Sequence, residues 1–447
     1  MPAPLSSRIC PPRPHRVSDA ARLVRHRTFH RTERQLALPG RPALPSIAIE
    51  EQGERFSMAQ SHMYSHTADR TIRPGNPAAL DTENFSKDEV MMPTARSAPA
   101  IATAMAGDRA ATDAVIHEFL ENKAASAQAP TLLLFVDLLR EFLDGGKRLR
   151  PLLCCCGWRA AGGRGDHASV IRIAASLELF HTFGLIHDDV MDASDTRRGR
   201  PTVHRRMASA VPARSDERFG VNTAILTGDL AFGWSYELLH DAGLPPAVAD
   251  TLWQALDRMR TDTLVGQYLD LLHTGSCDAD IAAALTIARF KTGKYTVEHP
   301  LRLGAIVAGA TPEVLSACSA FGIPLGEAFQ LRDDLLGVFG DPARTGKADV
   351  DDLRDGKPTA LLAAARTRST DFQRHRLDAI VGNPSITDTE AAEAREIIRD
   401  TGAVEYVEEL IAQRLALSSS VVESGVFDTD GAEYLRYVAS LATRRDN

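Results

Sequence analysis

Aromatic residues are scarce in this chain, 6% of 447 positions, which argues against sheets, where aromatic and β-branched side chains concentrate. Cysteines are few as well. The six include the adjacent Cys154, Cys155 and Cys156, and no C-x-x-C pair or His-linked spacing occurs, which excludes a zinc ribbon and a disulfide framework. They read as small apolar residues in a reducing compartment, with a cytoplasmic location expected. Apolar runs such as "LRLGAIVAGATPEVLSACSAFGIPLGEAF" are broken by Pro and Glu, so no stable membrane insertion is expected. Positive charge is also wanting. Residues 1–100 hold 14 Lys and Arg against 10 Asp and Glu, leaving 37 against 49 beyond them; a nucleic-acid partner is excluded on that balance.

Twelve of the 24 prolines lie in the first 100 residues, where no apolar periodicity is sustained. Residues 1–105 read as a disordered N-terminal extension and 106–447 as one catalytic domain. The first 48 residues, with nine Arg and two acidic residues, loosely mimic a targeting segment. A dispensable extension, with Met58 or Met63 as later starts, is the favoured expectation. From Ala110 onward, long apolar-periodic segments alternate with short Gly, Pro or Asp turns. That pattern predicts an all-α fold with no strand hairpins.

The chemistry is concentrated in "HDDVMDASDTRRGRPT", His187 to Thr202. Asp188 and Asp192 are one helical turn apart on one face, with Asp189 rotated by about 100°. Like charges at that spacing repel, so a carboxylate ladder beneath the apolar "LELFHTFGLI" points to an added cation. A second pair, Asp333 and Asp334 in "FQLRDDLLGVFGD", follows 145 residues later on another apolar helix. Mg²⁺ binds through carboxylates plus substrate phosphates, and two facing carboxylate helices suit a diphosphate held by shared ions. Cations flank these helices in four places. "GGKRLRP" has Gly145, Gly146, Lys147 and Arg150; "TRRG" has Arg197 and Arg198; "FKTGKY" has Lys291 and Thr292; "RTGKADVDDLRDGKPT" has Lys347 and Lys357. Arg148, Lys294, Arg205 and Arg206 read as surface charges.

In order and spacing, "GGKRLRP", "HDDVMD", "GQYLDL", "KTGKY", "FQLRDD" and "GKADVDDLRDGKPT" resemble the motifs of the trans-isoprenyl diphosphate synthases, polyprenyl synthetases of the geranylgeranyl or farnesyl kind, over about residues 110–447. The resemblance implies a single large helical bundle of the isoprenoid synthase type with a central substrate cavity, and a homodimer. It implies Mg²⁺, three per site, on Asp188, Asp192 and Asp333. Isopentenyl diphosphate would be held by Gly146, Lys147, Arg150, His181 and Arg198. Arg197, Lys291, Thr292, Gln330, Lys347 and Lys357 would surround the allylic diphosphate, with Gln267 and Asp270 lining the cavity. One departure stands out. The family's second motif usually ends in a third aspartate, where this chain has Gly337, leaving Asp334 a supporting role.

The implied reaction is ionisation of an allylic diphosphate and attack by isopentenyl diphosphate. Chain length would be set on the helix before Asp188, where Phe183 and Phe180 lie roughly 7 to 12 Å below the acidic motif at 1.5 Å rise per residue. An aromatic at the fifth position before that motif marks a floor in short-chain members. Geranylgeranyl diphosphate (C20) is the expected product; farnesyl (C15) or longer chains, and a noncatalytic partner subunit, are the alternatives. A terpene cyclase would need an Asn-Asp metal motif, and no such dipeptide occurs. Arg444 and Arg445 read as tail residues.

Overall fold

The computed structural model describes residues 98–443 apart from 166, 211–215, 276–279 and 341–349. Lys347, Arg444, Arg445 and nearly all of the proposed N-terminal extension lie outside the described residues.

The chain begins with α1 (Ala98–Ala125), α2 (Pro130–Leu143), α3 (Leu149–Ala160) and α4 (Ala168–Met191). A hairpin of β1 (Thr196–Arg197) and β2 (Arg200–Pro201) leads to α5 (Val203–Ala210), α6 (Glu217–His240), α7 (Pro246–His273) and α8 (Ile281–Ile287). An 11-residue π-helix, Ala288–Glu298, continues into α9 (His299–Val307). There follow α10 (Pro312–Phe339), α11 (Asp351–Asp355), α12 (Ala360–Arg368), α13 (Asp371–Ile380), α14 (Asp388–Asp400), α15 (Ala403–Glu423) and α16 (Thr429–Thr443). The all-α expectation holds.

Three features differ from the sequence reading. The boundary placed at 105 falls inside α1, because Ile101, Met105, Asp108 and Thr112 already bury a stripe at three- and four-residue spacing. The hairpin was not foreseen, since two-residue strands carry no alternation to detect. Arg198 (φ 53°) and Gly199 (φ 73°) make its turn with two left-handed residues, the arrangement whose twist matches a tight hairpin. Two helices, α4 and α10, are apolar enough to cross a membrane by length and composition, which the sequence reading did not allow. They are instead central to the bundle, with 67% and 50% of their apolar windows buried.

Burial explains the order. α4 packs along α6 and against α3, and α10 lies between the π-helix and α15. Val170, Ile173, Ala174, Leu177 and Leu179 of α4 are buried on several sides, as expected for a helix enclosed by others. Two glycines set the closest crossing. A Cβ on Gly304 would lie 1.8 Å from the Cys154 carbonyl oxygen, and one on Gly157 would lie 1.9 Å from that of Leu301. Thus α3 and α9 touch backbone to backbone. Cys154, Cys155, Cys156 and Cys318 are buried free thiols, and burial pushes Cys156 up to about 12. They fill core space, consistent with the reading from sequence. Farther from the site, α13 and α14 open with reciprocal capping boxes, Thr370 with Gln373 and Thr387 with Glu390.

Candidate active site

The first acidic motif closes α4. The Asp192 amide donates to the Asp188 carbonyl at 2.8 Å, so Asp188 and Asp192 stay one turn apart at the helix end. Asp188 Oδ1 accepts from Gln267 Nε2 at 3.0 Å and from Lys291 Nζ at 3.2 Å. Lys291 Nζ also reaches Asp270 Oδ2 at 2.5 Å. Lys357 Nζ stands 3.5 Å from Asp192 Oδ2. Asp189 faces away from this group and is buried, holding Arg197 Nε at 2.7 Å. Arg197 therefore braces the motif, with its Nη2 3.6 Å from Asp188 Oδ2.

The charges are unevenly matched. Burial would raise the Asp188 pKa, but Lys291, Lys357 and Arg197 outweigh it and hold the carboxyl below its ordinary range. Asp192 moves the other way, raised by burial and then by Asp188. Burial also works against the charge of Lys291, yet Asp188 and Asp270 keep it raised and protonated.

Lys291 and Thr292 sit on the π-helix, whose position depends on glycines. A Cβ on Gly266 of α7 would fall 2.3 Å from the Lys291 amide nitrogen. On the other side, one on Gly326 of α10 would fall 2.4 Å from the Gly293 Cα. The backbone bearing Lys291 is clamped between two helices at distances only glycine permits. Widened turns of this kind recur at functional positions. The sequence reading marked Gln267 and Asp270 in "GQYLDL" but missed Gly266 and the π-helix, because periodicity does not distinguish an α from a π register.

Asp333 is half-buried and Asp334 buried on α10. Gln330 Nε2 donates to Asp334 Oδ1 at 2.8 Å, so Gln330 supports the second acidic motif. Burial pushes Asp334 up to about 8, with Asp352, Asp333 and Asp270 adding to it against the Gln330 hydrogen bond.

The other cation group gathers at the start of α3 and the hairpin. Gly145 and Gly146 both have φ 79°. A Cβ on Gly146 would meet Arg148 Nη1 at 3.0 Å and Arg198 Nη2 at 3.1 Å, so the glycine gives two guanidinium groups room to lie against the backbone. Arg148 corrects the sequence reading. It is buried, donating to Asp113 at 2.6 Å, Glu178 at 3.0 Å and the Leu143 carbonyl at 2.6 Å; its acidic partners lie 35 and 30 residues away, beyond local inspection. Lys294 is likewise paired, with Asp262 at 2.8 Å. Arg150 donates to Thr296 at 2.7 Å and stacks on Tyr295 at 4.2 Å, and its Nε has no hydrogen-bond partner among the described residues. Lys147 is exposed. His181 is held neutral at physiological pH by burial, with Arg150, Arg198, Arg197 and Arg148 acting in the same direction. A neutral imidazole there can donate from one nitrogen to an anion and accept on the other.

Before the first acidic motif on α4, aromatic rings pack in tilted and edge-to-face pairs. Phe183 lies 4.8 Å from His187, 5.4 Å from Phe180 and 5.0 Å from Phe232. Phe232 continues to Tyr236 at 5.2 Å, and the Arg260 guanidinium caps Tyr236 at 3.7 Å. Phe180 also meets Tyr295 at 5.6 Å. This apolar wall joins α4, α6 and the π-helix beneath the charged end.

The residues suit Mg²⁺. The donors are carboxylate oxygens, which this hard cation prefers, and Asp188 and Asp192 present two of them one helical turn apart. Among the described residues no three His, Cys, Asp or Glu side chains form a closed cage.

Comparison with known proteins agrees with this geometry. The profile of the polyprenyl synthetase family matches residues 134–398. A geranylfarnesyl diphosphate synthase of Aeropyrum pernix is 37% identical over 267 residues, 59% of this chain and 79% of the relative. A geranylgeranyl diphosphate synthase of Saccharolobus solfataricus is 30% identical over 308 residues, 68% of this chain and 88% of the relative. Among solved structures, geranylgeranyl pyrophosphate synthase from Corynebacterium glutamicum, complexed with isoprenyl diphosphate and magnesium, has a TM-score of 0.72 and 38% identity. That match covers 76% of this chain and 98% of the other.

Proposed function

Because this chain belongs to the polyprenyl synthetase family, we propose that it condenses isopentenyl diphosphate with allylic diphosphates to make geranylgeranyl diphosphate. It is a short-chain trans-prenyl diphosphate synthase. The observation that carries the reading is a charged cluster, where Asp188 and Asp192 face Lys291 and Lys357, beside a group of aromatic rings on the same helix.

Bound Mg²⁺, three ions per site in this proposal, would be held by Asp188, Asp192 and Asp333 and would neutralise the diphosphate charge. Lys291 and Lys357 add fixed positive charge where the allylic C–O bond breaks and negative charge develops. The Phe180, Phe183 and Phe232 rings line the space for the cation and exclude the water that would quench it. Arg148, Arg150, Arg198 and neutral His181 surround the place proposed for isopentenyl diphosphate. Its double bond forms the new C–C bond, and the proton lost from that unit passes to the departing diphosphate.

The C20 length rests on Phe183 and Phe180 as a floor, backed by Phe232 and Tyr236. A C25 product is the second reading, favoured by similarity to the Aeropyrum pernix geranylfarnesyl enzyme. The test is incubation with Mg²⁺, labelled isopentenyl diphosphate and dimethylallyl, geranyl or farnesyl diphosphate, followed by sizing of the dephosphorylated alcohols. A dominant C20 alcohol is expected; C25 would keep the reaction and replace the floor. Phe183→Ala should lengthen the main product by at least one five-carbon unit, and an unchanged product distribution would discard the floor.

We also propose a homodimer. Leu264, Val265, Tyr268, Leu271 and Leu272 form an exposed stripe on α7, and Ile225 and Leu226 are exposed on α6. Large contiguous apolar surface of this kind commonly marks an interface. Light scattering should give a dimer for the wild type and a monomer for Leu264→Lys/Leu272→Lys. The buried thiols suit a reducing compartment, and we place the enzyme in the cytoplasm.

A further inference from the structure

Glu327 is a carboxylate buried within α10, 1% exposed. Its Oε1 accepts from Arg289 Nε at 2.5 Å, and its Oε2 accepts from Arg414 Nε at 2.5 Å. Arg289 belongs to the π-helix, two residues before Lys291, and Arg414 belongs to α15. The neighbouring Gly326 is the residue whose Cβ would fall 2.4 Å from the Gly293 Cα and 2.6 Å from the Gly293 carbonyl oxygen. The π-helix is therefore tied to α10 on both sides of Lys291 and Thr292, by an ion pair before them and by backbone contact after them.

A buried carboxylate is a poor way to fill space. Withdrawing it and its arginines from water costs so much that apolar residues of similar volume are often as stabilising or more so. What the ion pairs add is direction, because charge-assisted hydrogen bonds hold their partners at a set distance and angle. Direction matters for this segment. Eleven residues of π-helix are an uncommon register, and reversion to an α-helix would rotate Lys291 relative to Asp188 and Asp270, which it meets at 3.2 and 2.5 Å. Gln330 and Asp334 follow Glu327 by three and seven positions, on the same face of α10. The face that grips the π-helix thus continues into the second acidic motif.

We propose that Glu327 is a positioning residue: through Arg289 it holds the π-helix in register against α10 and so fixes Lys291 relative to both acidic motifs. It acts on the reaction only through Lys291. Arg414 neutralises the second oxygen and joins α15 to the same point, which serves stability more than register. The effect of Glu327 on turnover rests on the prenyl-transfer reading; its effect on the π-helix does not.

The experiment compares product formation, melting temperature and amide hydrogen exchange over Ala288–Glu298 in wild type, Glu327→Gln, Arg289→Met, Arg414→Met, Lys291→Ala and Glu327→Gln/Lys291→Ala. Glu327→Gln keeps the shape and removes the charge. It and Arg289→Met should each lower kcat about 10- to 100-fold, the scale of a small misplacement at the reacting centre, and speed exchange in the π-helix roughly tenfold. Arg414→Met leaves the Arg289 bond in place, so it should lower the melting temperature while kcat stays within about twofold of wild type. In the Lys291→Ala background, Glu327→Gln should lower kcat by less than about twofold further, because residues acting through one group are not additive. Wild-type kcat or unchanged exchange in Glu327→Gln, equal kcat losses in Arg289→Met and Arg414→Met, or the same fold loss from Glu327→Gln in both backgrounds would each overturn the proposal. If Glu327→Gln fails to fold, Arg289→Met, which leaves the carboxylate paired with Arg414, carries the comparison alone and with Lys291→Ala. Wild type that forms no prenyl product would defeat the functional reading, and the exchange rates would still decide whether Glu327 holds the π-helix.

Discussion

Lys291→Ala is expected to lower kcat/KM for the allylic substrate by about 10²- to 10³-fold, the loss typical of removing one fixed group that stabilises developing charge. Lys291 is placed for this by structure as well as chemistry. Its ammonium bridges Asp188 at 3.2 Å and Asp270 at 2.5 Å, and its backbone rests on Gly266. The substitution leaves two part-buried carboxylates without their shared cation, so it should also lower the melting temperature of the metal-free protein. Adding Mg²⁺ and inorganic diphosphate should return part of that stability, because ligands that bind only the folded state stabilise it. The rate loss should remain. Steady-state kinetics and melting curves, each with and without Mg²⁺, separate the two effects; kcat/KM within threefold of wild type would remove Lys291 from the reaction.

The largest effect on folding is expected at Gly304. Its added Cβ would lie 1.8 Å from the Cys154 carbonyl oxygen and 2.8 Å from the Trp158 amide nitrogen, and neither backbone atom can swing aside as a side chain would. α3 and α9 would have to separate across a core containing Leu153, Leu301 and Ala305. Gly304→Ala should cost about 3 kcal/mol, the upper range of overpacking, lowering the melting temperature by about 4 °C in a domain of this size. Gly107→Ala is the control. Nothing lies within 4 Å of that Cβ position on α1, and removing a helical glycine should leave stability unchanged or slightly raised. Equal melting temperatures for Gly304→Ala and wild type would show that the two helices can move apart freely.

Much of the site was legible in the sequence because its elements are local. Asp188 and Asp192 share a face through helical spacing alone, and "KTGKY" and "GGKRLRP" announce cations beside glycines. The aromatic cluster was legible in part. Phe180 and Phe183 follow from the rise of α4, whereas Phe232, Tyr236 and Tyr295 join them from other helices. Arg148 was misread for the same reason: its burial is created by Asp113 and Glu178, which no local pattern associates with it.

The sequence by itself determined the all-α class, the two acidic motifs and the cations that flank them, since each follows from periodicity or composition within a single segment. Only the tertiary structure decided how those segments meet. The π-helix around Lys291 depends on close approach to Gly266 and Gly326. Contacts of that kind are set by the distance between backbones. Helical periodicity specifies which face of a helix is buried, but the absence of a Cβ acquires its meaning only from the atoms that another element brings against it.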